Sequence, residues 1–363
     1  MDELKDIRIR IDGIDAQMAA LFEQRMECSR EIAAFKAAHA LCTQDAARED
    51  ELIRQGAERI LDRDIREYYV NFEKNVLALS REWQQRLMSG LKVAYCGVPG
   101  AFAHIAATRL FPGSDPVPYE SFEQAYRACE GGEADVVVLP FENSSAGEVS
   151  SVTDLMFSGS LYVNQVIEVE AEQNLLGLPG ADKARIRKVY SHPQALAQCA
   201  EFIRDHGLEV REYSNTALAA KRVSEKGDPT CAAIGTAEAA AIYGLEVLDA
   251  RINTSRTNTT RFAAFSRMLR LDTENKRKMG KRFILMFTVK NEAGALAQTL
   301  NIIGAHNYNM YNLHSRPMKE LLWNYYFFVE LEGDIATEEG SSMLRELAPL
   351  CDRLKLVGSF YTR

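Results

Sequence analysis

Apolar residues recur every three or four positions through the first part of the chain. They stand at Ile7, Ile11, Ile14, Met18 and Leu21 and, after one gap, at Cys28, Ile32 and Phe35. This spacing sets them on one face of a helix, as in the seam of a coiled coil. Residues 1–88 contain no proline and only two glycines, which also favours long helices.

A cation fills the gap in this apolar pattern. Arg25 stands there, and Lys36 follows 11 residues later, close to a whole number of helical turns. Both cations therefore face the same side, where a guanidinium is costly unless an anion meets it. The pair suggests a binding site for a dianion. Arg8 lies 17 residues before Arg25, about 25 Å along one helix at about 1.5 Å per residue, so it could serve this site only from a second, antiparallel chain.

Two further helices are predicted before residue 90. The first carries Asp45, Arg48 and Glu49 on one side, because these positions are three and four residues apart. The second is expected over residues 62–88, with an apolar seam at Ile65, Tyr69, Phe72, Val76, Leu79 and Trp83. Ser80 and Gln84 lie one position off that seam. The pattern alone leaves two interpretations open, a helical dimerisation module with a solvated charged face or an anion-binding site.

The pattern changes after Ser89-Gly90. Short apolar strands then alternate with alanine-rich helices, with strands expected at residues 92–95, 134–139, 187–190, 208–213, 231–234 and 246–248. This alternation predicts an α/β segment with largely parallel strands. Ligands of such sheets bind beyond the carboxyl ends of the strands.

Polar residues follow several of these strands. One apolar strand is expected to stop at Pro140 and is followed by Glu142, Asn143 and Ser144. Farther on, Ser191 is expected to cap a helix whose first turn holds Pro193 and Gln194, with free N–H groups for an anion. The glycine loop at residues 97–101 could offer N–H groups in the same way, but its spacing is weak evidence and predicts no dinucleotide site. Plain loops and caps stay open as alternatives.

The last strand of this segment is preceded by hydroxyl and amide side chains, in the run Asn258-Thr259-Thr260-Arg261-Phe262. A threonine hydroxyl donates and accepts hydrogen bonds, and the planar fork of Arg261 suits a carboxylate. Taken alone, the run is a common turn before a strand. Its place beside other polar strand ends makes it a candidate site.

The C-terminal part follows a charged stretch at residues 269–281 that we interpret as a linker. Residues 282–363 predict the order β-α-β-β-α-β of a ferredoxin-like fold, with elements at 283–289, 295–305, 309–316, 323–332, 341–350 and 354–361. Gly294-Ala295-Leu296 opens the first of its helices, and a helix N-terminus can hold a carboxylate. Fold order alone does not name the ligand.

Length, charge and cysteine content narrow the classes of function. A chain of 363 residues predicts two or three domains. A net charge of -8 argues against binding to nucleic acid or a membrane surface. The absence of a spanning apolar run or a signal core indicates a cytoplasmic protein. Seven scattered cysteines without a CxxC pair fit a reducing compartment, and neither a metal nor a cofactor is expected.

The helical segment, residues 1–89, resembles the all-helical chorismate mutase family over nearly its whole length. The resemblance implies substrate contacts at Arg8, Arg25, Lys36, Asp45, Arg48, Glu49, Ser80 and Gln84. It also implies an intertwined homodimer in which Arg8 crosses to the other chain. The reaction implied is the rearrangement of chorismate to prephenate, which the site promotes by holding the reactive conformer and stabilising the developing charge.

The same resemblance implies a role for each residue. Arg8 and Arg25 would meet the substrate carboxylates. Lys36 and Gln84 would serve the ether oxygen, and Glu49 the ring hydroxyl. Support is expected from Asp45 and Arg48, and Ser80 is expected to bind the substrate.

Residues 90–268 resemble the prephenate dehydratase family. The matching stretches, in chain order, are residues 97–106, 140–147, 191–196, 214–217, 234–235, 243–245 and 260–262. The resemblance implies two α/β lobes like those of periplasmic binding proteins, with the site in the cleft between them. The sequence departs from the family at Ala103, where a hydroxyl residue is usual, and at Gln173, where histidine is common.

The reaction implied removes CO2 and the ring hydroxyl from prephenate. The leaving hydroxyl needs a proton or a strong hydrogen bond, and Thr260 is the expected donor. The residues expected to assist it are Glu142, Asn143, Ser144, Ser191 and Gln194. Arg261 or loop N–H groups would meet the side-chain carboxylate of the substrate, with Phe262 also in the binding site.

The last segment resembles the ACT regulatory domain that is fused to prephenate dehydratases. One effector motif matches at Gly294-Ala295-Leu296, and the second at His314-Ser315-Arg316-Pro317, where the family usually has glutamate in place of the histidine. The resemblance implies that L-phenylalanine binds between paired domains and inhibits the dehydratase.

Together the three segments resemble the bifunctional chorismate mutase–prephenate dehydratases of phenylalanine biosynthesis. The expected fold is multidomain: an all-α domain, a two-lobed α/β domain and an α+β ferredoxin-like ACT domain, assembled as a homodimer or a tetramer. Two alternatives stay open. An arogenate dehydratase would need a contact to an ammonium group. A non-catalytic sensor is disfavoured because Arg25 and Lys36 interrupt an apolar helix and because Thr260 and Glu142 lie at strand ends.

Overall fold

The computed structural model describes residues 2–39, 41–254, 258–270, 280–318 and 324–361. The chain forms two compact units, Met1–Lys92 and Val93–Arg363. The first corresponds to the predicted helical segment. The second holds the predicted α/β and C-terminal segments together, because these two pack against each other.

The helical unit consists of α1 (Asp2–Ala38), α2 (Ala46–Arg59) and α3 (Arg66–Ser89). The long first helix is confirmed, since α1 runs through Gly13 without a break for 37 residues. Its inner face packs on α3 and carries Ser29 and Ala33, which are 4% and 1% exposed.

The predicted apolar seam of α1 is not buried within this unit. Ile7, Ile14, Met18 and Leu21 are between 45% and 63% exposed. The seam predicted on α3 is also wrong in part, because Phe72 is 47% exposed. The buried residues of α3 are Val76, Leu77, Ser80 and Gln84. Polar side chains therefore face inward between α1 and α3, while a long apolar stripe faces outward.

The second unit has two lobes. The first lobe contains β1 (Lys92–Cys96), α4 (Phe102–Leu110), β2 (Asp115–Tyr119), α5 (Phe122–Glu130), β3 (Val136–Asn143), β4 (Gly147–Glu148), α6 (Ser150–Ser158) and β5 (Tyr162–Glu170). The second contains β6 (Asn174–Gly177), β7 (Lys188–Ser191), α7 (Pro193–Gln198), α8 (Ala200–Asp205), β8 (Glu209–Glu212), α9 (Thr216–Lys226), β9 (Cys231–Gly235), α10 (Ala237–Tyr243) and β10 (Glu246–Asp249). The chain then returns to the first lobe as β11 (Thr259–Ser266).

The expectation of largely parallel strands is correct only in part: in the first lobe β1 pairs parallel with β3. In the second lobe β7 pairs parallel with β8 and β9, but β6 runs antiparallel to β9 and β10. In the first lobe β11 inserts between β3 and β5 and is antiparallel to both. The reason is topological, because β5 leaves the lobe and β11 comes back to it alongside.

Strand β3 does not stop at Pro140 as expected. It continues to Asn143, and its pairing with β11 shifts register opposite this proline, between Arg261 and Phe262. A bulge accommodates a residue without an N–H group. The continuation carries Glu142 and Asn143 into the sheet beside β11.

The C-terminal region, residues 281–361, has the predicted β-α-β-β-α-β order. Its elements are β12 (Lys281–Val289), α11 (Ala295–Ala305), β13 (Asn309–Pro317), β14 (Tyr325–Glu332), α12 (Glu338–Leu347) and β15 (Cys351–Tyr361). The strands lie in the order β13-β14-β12-β15, and β15 continues into the first lobe by pairing with β5.

The C-terminal region and the first lobe share one hydrophobic core. Phe157 of α6 stacks on Tyr326 of β14, with ring centroids 4.3 Å apart. Lys355 and Arg353 of β15 donate hydrogen bonds to carbonyl groups at the end of α6, Lys355 to Met156 at 2.5 Å. Gly358 lies opposite Val163 at the strand junction.

The predictions about the cysteines and about membrane-spanning segments can be compared with this structure. All seven cysteines are free thiols. Among the described helices, none is both long and apolar enough to cross a membrane.

Candidate active sites

In the helical unit, two cations of α1 face two polar residues of α3. Arg25 donates a hydrogen bond to Ser80 Oγ, and Lys36 Nζ donates to Gln84 Oε1 at 3.3 Å and to the carbonyl of Thr43 at 2.5 Å. Ser80 and Gln84 are only 4% and 7% exposed. The shared face of Arg25 and Lys36 follows from their 11-residue spacing. Four predicted residues therefore meet along one helix–helix contact.

Helix α2 brings its predicted residues to the edge of this unit. Asp45 caps the helix by accepting a hydrogen bond from the N–H of Arg48 at 3.1 Å. Glu49 forms an ion pair with Arg81 of α3, and Arg48 pairs with Glu51 at 2.6 Å. Sequence reasoning missed both of these partners. Two features of the sequence could have indicated them. Positions 48 and 51 are three residues apart on one helix, and Arg81 directly follows the predicted site residue Ser80.

Arg8 lies on the same continuous helix as Arg25. The axial separation is about 25 Å at about 1.5 Å per residue. Within one chain, Arg8 therefore belongs to a different part of α1 from the Arg25–Ser80 contact.

In the second unit, Asn143 is the centre of a hydrogen-bond network. Its Nδ2 donates to Thr260 Oγ1 at 2.9 Å and to Asn258 Oδ1 at 2.8 Å. Its Oδ1 accepts from the N–H groups of Ser145 and Ala146 at 3.0 and 2.9 Å. These partners fix which side of the amide carries the nitrogen. The network exists because β3 and β11 pair with Thr260 opposite Asn143.

Ser144 joins the same strand ends. Its N–H donates to the carbonyl of Thr259 at 2.9 Å, and its Oγ accepts from the N–H of Thr259 at 2.9 Å. The predicted site residues Asn143, Ser144 and Thr260 thus lie together at the ends of β3 and β11. A cavity of about 320 Å³ lies between the lobes. Its lining includes Glu168, Val169 and Glu170, and Val169 is the strand partner of Thr260 on β5.

Arg261 does not present its guanidinium to an open cleft. The residue is 7% exposed. Its Nη1 donates a hydrogen bond to Glu142 at 2.6 Å. The same guanidinium donates two hydrogen bonds to Glu330 of β14, at 2.7 and 2.8 Å. Burial lowers the pKa of Arg261, but hydrogen bonding to Glu330 and Glu142 raises it overall. The prediction of a substrate contact is corrected, because this cation is already paired with two carboxylates.

Phe262 is also corrected. It is 2% exposed and lies within the sheet between β3 and β5. It therefore contributes to the core instead of binding the substrate directly.

Ser191 and Gln194 do not form the expected cap. Ser191 is fully buried at the end of β7, and its Oγ donates to the carbonyl of Ile234 at 2.6 Å. The cap of α7 is His192, whose side chain accepts from the N–H of Gln194 at 3.3 Å. Ser191 therefore ties β7 to β9, and Gln194 is exposed on a short helix.

The glycine loop contacts the second lobe. Its N–H groups at Gly97 and Ala101 donate to Tyr119 and Val98 carbonyls at 2.9 and 3.0 Å. The carbonyl of Gly100 accepts from Thr236 Oγ1 at 3.3 Å. The loop thus closes one edge between the lobes, and the N–H groups named here already have acceptors.

The predicted effector residues divide into two places. Gly294 caps α11 with φ of 88°, and Ala295 and Leu296 open that helix. The second motif lies on β13 against the first lobe. His314 Nε2 is 2.6 Å from a Glu148 carboxylate oxygen, and Arg316 Nη1 donates to the same carboxylate at 2.6 Å.

The polar side chains of this second motif, His314 and Arg316, thus already contact a carboxylate of the first lobe. Arg316 Nε also donates to Asp154 at 3.1 Å. The ring of His314 stacks on Phe328, with centroids 4.5 Å apart, and burial lowers its pKa. Ser315 and Pro317 lie on the same strand.

Comparison with known proteins gives two family matches. Residues 7–85 match the chorismate mutase type II family, and residues 93–269 match the prephenate dehydratase family. A bifunctional chorismate mutase/prephenate dehydratase of Aquifex aeolicus (strain VF5) is 30% identical over 99% of this chain and 98% of its own. The arogenate dehydratase/prephenate dehydratase 1, chloroplastic, of Arabidopsis thaliana is 30% identical over 75% of this chain and 72% of its own.

Solved structures resemble the second unit. A prephenate dehydratase from Arthrobacter aurescens, in complex with L-Phe, is 26% identical with a TM-score of 0.67 and covers 75% of this chain and 90% of its own. GqqA, described as a novel type of quorum quenching acylase, is 30% identical with a TM-score of 0.68 and covers 75% of this chain and 98% of its own. Because both family matches occur in one chain and the Aquifex relative spans nearly all of it, this chain belongs to the family of bifunctional chorismate mutase/prephenate dehydratases.

Proposed function

We propose that this chain catalyses two successive reactions at separate sites. The helical unit rearranges chorismate to prephenate, and the two-lobed part of the second unit converts prephenate to phenylpyruvate with loss of CO2 and water. Both family matches and the near full-length relative support these activities. Supplying chorismate to the pure protein and following prephenate and phenylpyruvate over time tests the pair. Release of prephenate without phenylpyruvate would reject the second reaction.

The mutase mechanism rests on two pre-positioned cations. Ser80 holds Arg25 and Gln84 holds Lys36, so neither side chain must reorganise when charge develops on the ether oxygen. Arg25 would meet a carboxylate of chorismate and Lys36 the ether oxygen. Glu49, held by Arg81, would orient the ring hydroxyl. The reaction is intramolecular, so binding the compact conformer is itself a large part of catalysis.

A second copy of the chain would complete the mutase site. The apolar stripe of α1 is about half exposed in one chain, as at Ile11 with 49% and Leu21 with 63%. Such a stripe on a long helix is typical of a surface that a partner helix covers. An antiparallel partner would bring its own Arg8 to Arg25 and Lys36. The homodimer, and any tetramer built from it, is part of this proposal.

Mixing two inactive variants tests the contribution of Arg8. Arg8→Ala and Lys36→Ala should each lose mutase turnover. If Arg8 crosses between chains, dimers containing one of each carry one intact site, and random exchange restores about a quarter of the sites. Arg30→Ala is the matched control, because Arg30 pairs with Glu27 on the exposed side of α1. Failure to recover any turnover, despite subunit exchange, would reject the shared site.

The dehydratase mechanism assigns the proton to Thr260. Asn143 donates to Thr260 Oγ1, so the threonine keeps its own hydrogen for another acceptor. That acceptor is the ring hydroxyl of prephenate. The ring–carboxylate bond breaks to release CO2, its electron pair makes the ring aromatic as the C–OH bond breaks, the hydroxyl leaves with the Thr260 proton as water, and solvent returns a proton to Thr260. Ser144 and Asn258 hold the strand ends that carry this pair.

Substitution of Thr260 tests this role. Thr260→Ala should abolish dehydratase turnover and leave mutase turnover unchanged, whereas Thr260→Ser, which keeps the hydroxyl, should retain part of it. Thr259→Val is the matched control, because successive strand residues point to opposite faces. Dehydratase activity that survives in Thr260→Ala would make Thr260 a structural residue.

Arogenate is a second candidate substrate for the dehydratase site. The residues that line the cavity between the lobes include Glu168, Glu170 and Glu172 as well as the cation Arg109, and arogenate carries an ammonium group that a carboxylate can bind. One relative bears both dehydratase names. The ratio of kcat/KM for prephenate and arogenate decides between them.

The C-terminal region would act as an ACT regulatory domain that binds L-phenylalanine. Its β-α-β-β-α-β order and the likeness to a dehydratase solved with L-Phe support this. Binding is expected near the N-terminus of α11, where Gly294 provides no side-chain cap and a helix N-terminus can bind a carboxylate. Calorimetry with L-phenylalanine, and D-phenylalanine as control, tests it. No heat of binding with the L form would reject the proposal.

A further inference from the structure

A glutamate of the C-terminal region is fully buried against the dehydratase strands. Glu330 of β14 is 0% exposed. One of its oxygens accepts from Arg261 Nη2 at 2.7 Å and the other from Arg261 Nη1 at 2.8 Å. A two-pronged pair of this kind fixes both the position and the plane of the guanidinium. Sequence reasoning gave Glu330 no role.

Arg261 connects this carboxylate to the catalytic strand ends. It follows Thr260 on β11, and its strand partner on β3 is Glu142. The Nη1 group that binds Glu330 also donates to Glu142 at 2.6 Å. Glu142 in turn precedes Asn143, the residue that holds Thr260. One guanidinium therefore joins Glu330 to both strands that carry the proposed proton donor.

A second strand of the C-terminal region holds the other carboxylate. Asn312 of β13 is the strand partner of Glu330 and donates its Nδ2 to Glu142 at 3.1 Å. Arg282 of β12 adds a further hydrogen bond to Glu330 at 3.1 Å. The charges of Arg261, Glu142 and Glu330 are thus balanced by contacts between the two regions. Removing the Glu330 charge would leave Arg261 buried beside one carboxylate, that of Glu142, and breaking one side of a buried pair is costly.

We propose that Glu330 is a positioning residue for the dehydratase reaction. By fixing Arg261, it holds the ends of β3 and β11 at the spacing that directs the Thr260 hydroxyl toward the substrate. This inference rests on the proposed role of Thr260 in the reaction. It makes the C-terminal region part of the dehydratase site, in addition to any effector binding.

Glu330→Gln tests the inference in the full-length protein, because it keeps the shape and removes the charge. Misplacing a reacting group by about 1 Å costs on the order of 100-fold in rate, so we expect dehydratase kcat to fall by about tenfold to 100-fold with little change in KM. Mutase turnover should not change. Glu332→Gln is the matched control: Glu332 lies two residues along the same strand, is 44% exposed in its side chain, and contacts Arg282 at 3.6 Å. It should leave both activities unchanged. Dehydratase kcat within twofold of the starting protein in Glu330→Gln would overturn the proposal.

A double-mutant cycle separates positioning from loss of folding. Arg261→Gln should itself lower kcat, and the double variant Arg261→Gln/Glu330→Gln removes both buried charges at once. If Glu330 acts through Arg261, the double variant should be no slower than Arg261→Gln alone. Effects that multiply would overturn the proposal, even if Glu330→Gln is unstable. Thr260→Ala reports separately on the proton donor, so failure of that assignment is distinguishable from failure of this one.

Discussion

Replacing Gly358 by alanine should destabilise the second unit at the junction between the C-terminal region and the first lobe. Gly358 of β15 lies opposite Val163 of β5. A Cβ atom built on Gly358 would lie 2.1 Å from the carbonyl oxygen of Val163 and 2.7 Å from its carbonyl carbon. These are backbone atoms in a paired strand, so no flexible side chain can move to relieve the clash.

The cost can be bounded from these distances. Inserting a methyl group into a well-packed site typically costs about 1–3 kcal/mol. A change of 1 kcal/mol moves the melting temperature of a unit of this size by about 2–4 °C. Gly358→Ala should therefore lower the melting temperature of the second unit by about 2–12 °C.

Differential scanning calorimetry of the full chain measures the effect, with the helical unit as an internal reference. Gly304→Ala is the matched control, because Gly304 lies in α11 and a Cβ atom there would meet nothing within 4 Å. Alanine is favoured over glycine in a helix by up to about 1 kcal/mol, so this variant should melt at the same or a higher temperature. The same chemical change thus has opposite expected signs at the two positions. An unchanged or raised melting temperature in Gly358→Ala would show that β15 and β5 are not in contact as described.

Three further outcomes are expected. Lys36→Ala should lower mutase turnover by about two to three orders of magnitude with the dehydratase rate on added prephenate unchanged; a turnover near that of the starting protein would contradict the assignment. Glutamate is usual at position 314 in the family, yet His314→Glu should destabilise the second unit by about 1–3 kcal/mol in urea unfolding, because it sets a carboxylate beside Glu148. Equal stability would count against the contact between His314 and Glu148. A hydrogen bond to Glu339 raises the pKa of His306 above 6.5, so this pair should add stability below pH 6.5 and lose it as the pH rises through the raised value; His306→Gln should remove that pH dependence of unfolding, and an unchanged profile would refute it.

The mutase cluster follows from the sequence because helix geometry is local. A separation of 11 positions from Arg25 to Lys36, and of four from Ser80 to Gln84, is enough to place each pair on one face. The apolar seam of α1 was also predicted, but the sequence could not predict whether that seam is buried within the helical unit. That face stays exposed within the helical unit, and nothing in the spacing says which side of α1 meets α3.

The dehydratase strand ends were predicted together for a reason that is only partly correct. We expected neighbouring parallel strands, whereas β11 returns antiparallel and pairs directly with β3. Thr260 lies at the start of β11 and Asn143 at the end of β3, so only the antiparallel arrangement brings them together. The strand order depends on where the chain crosses between lobes, and the local pattern does not encode that.

The pairing of Arg261 with Glu330 was missed because the partners are 69 residues apart. A signal did exist. Glu330 interrupts the apolar strand Phe327-Phe328-Val329-Glu330-Leu331, and a carboxylate in a buried strand needs a cation. The prediction for Ser191 was wrong for the opposite reason. A serine two residues before a proline matches a helix cap, but this serine ends a buried strand and His192 is the cap.

The pairing of β15 with β5 also decides where this chain can be divided. A protein that ended before residue 281 would keep every residue of both lobes, yet it would turn β5 into an edge strand. Val163 and Val166, which are 0% and 5% exposed in the intact chain, would lose their cover. An uncovered apolar edge recruits strands from other molecules. The two lobes produced without the C-terminal region should therefore aggregate. The solubility of the lobes thus depends on β15, a strand that lies outside their own part of the sequence.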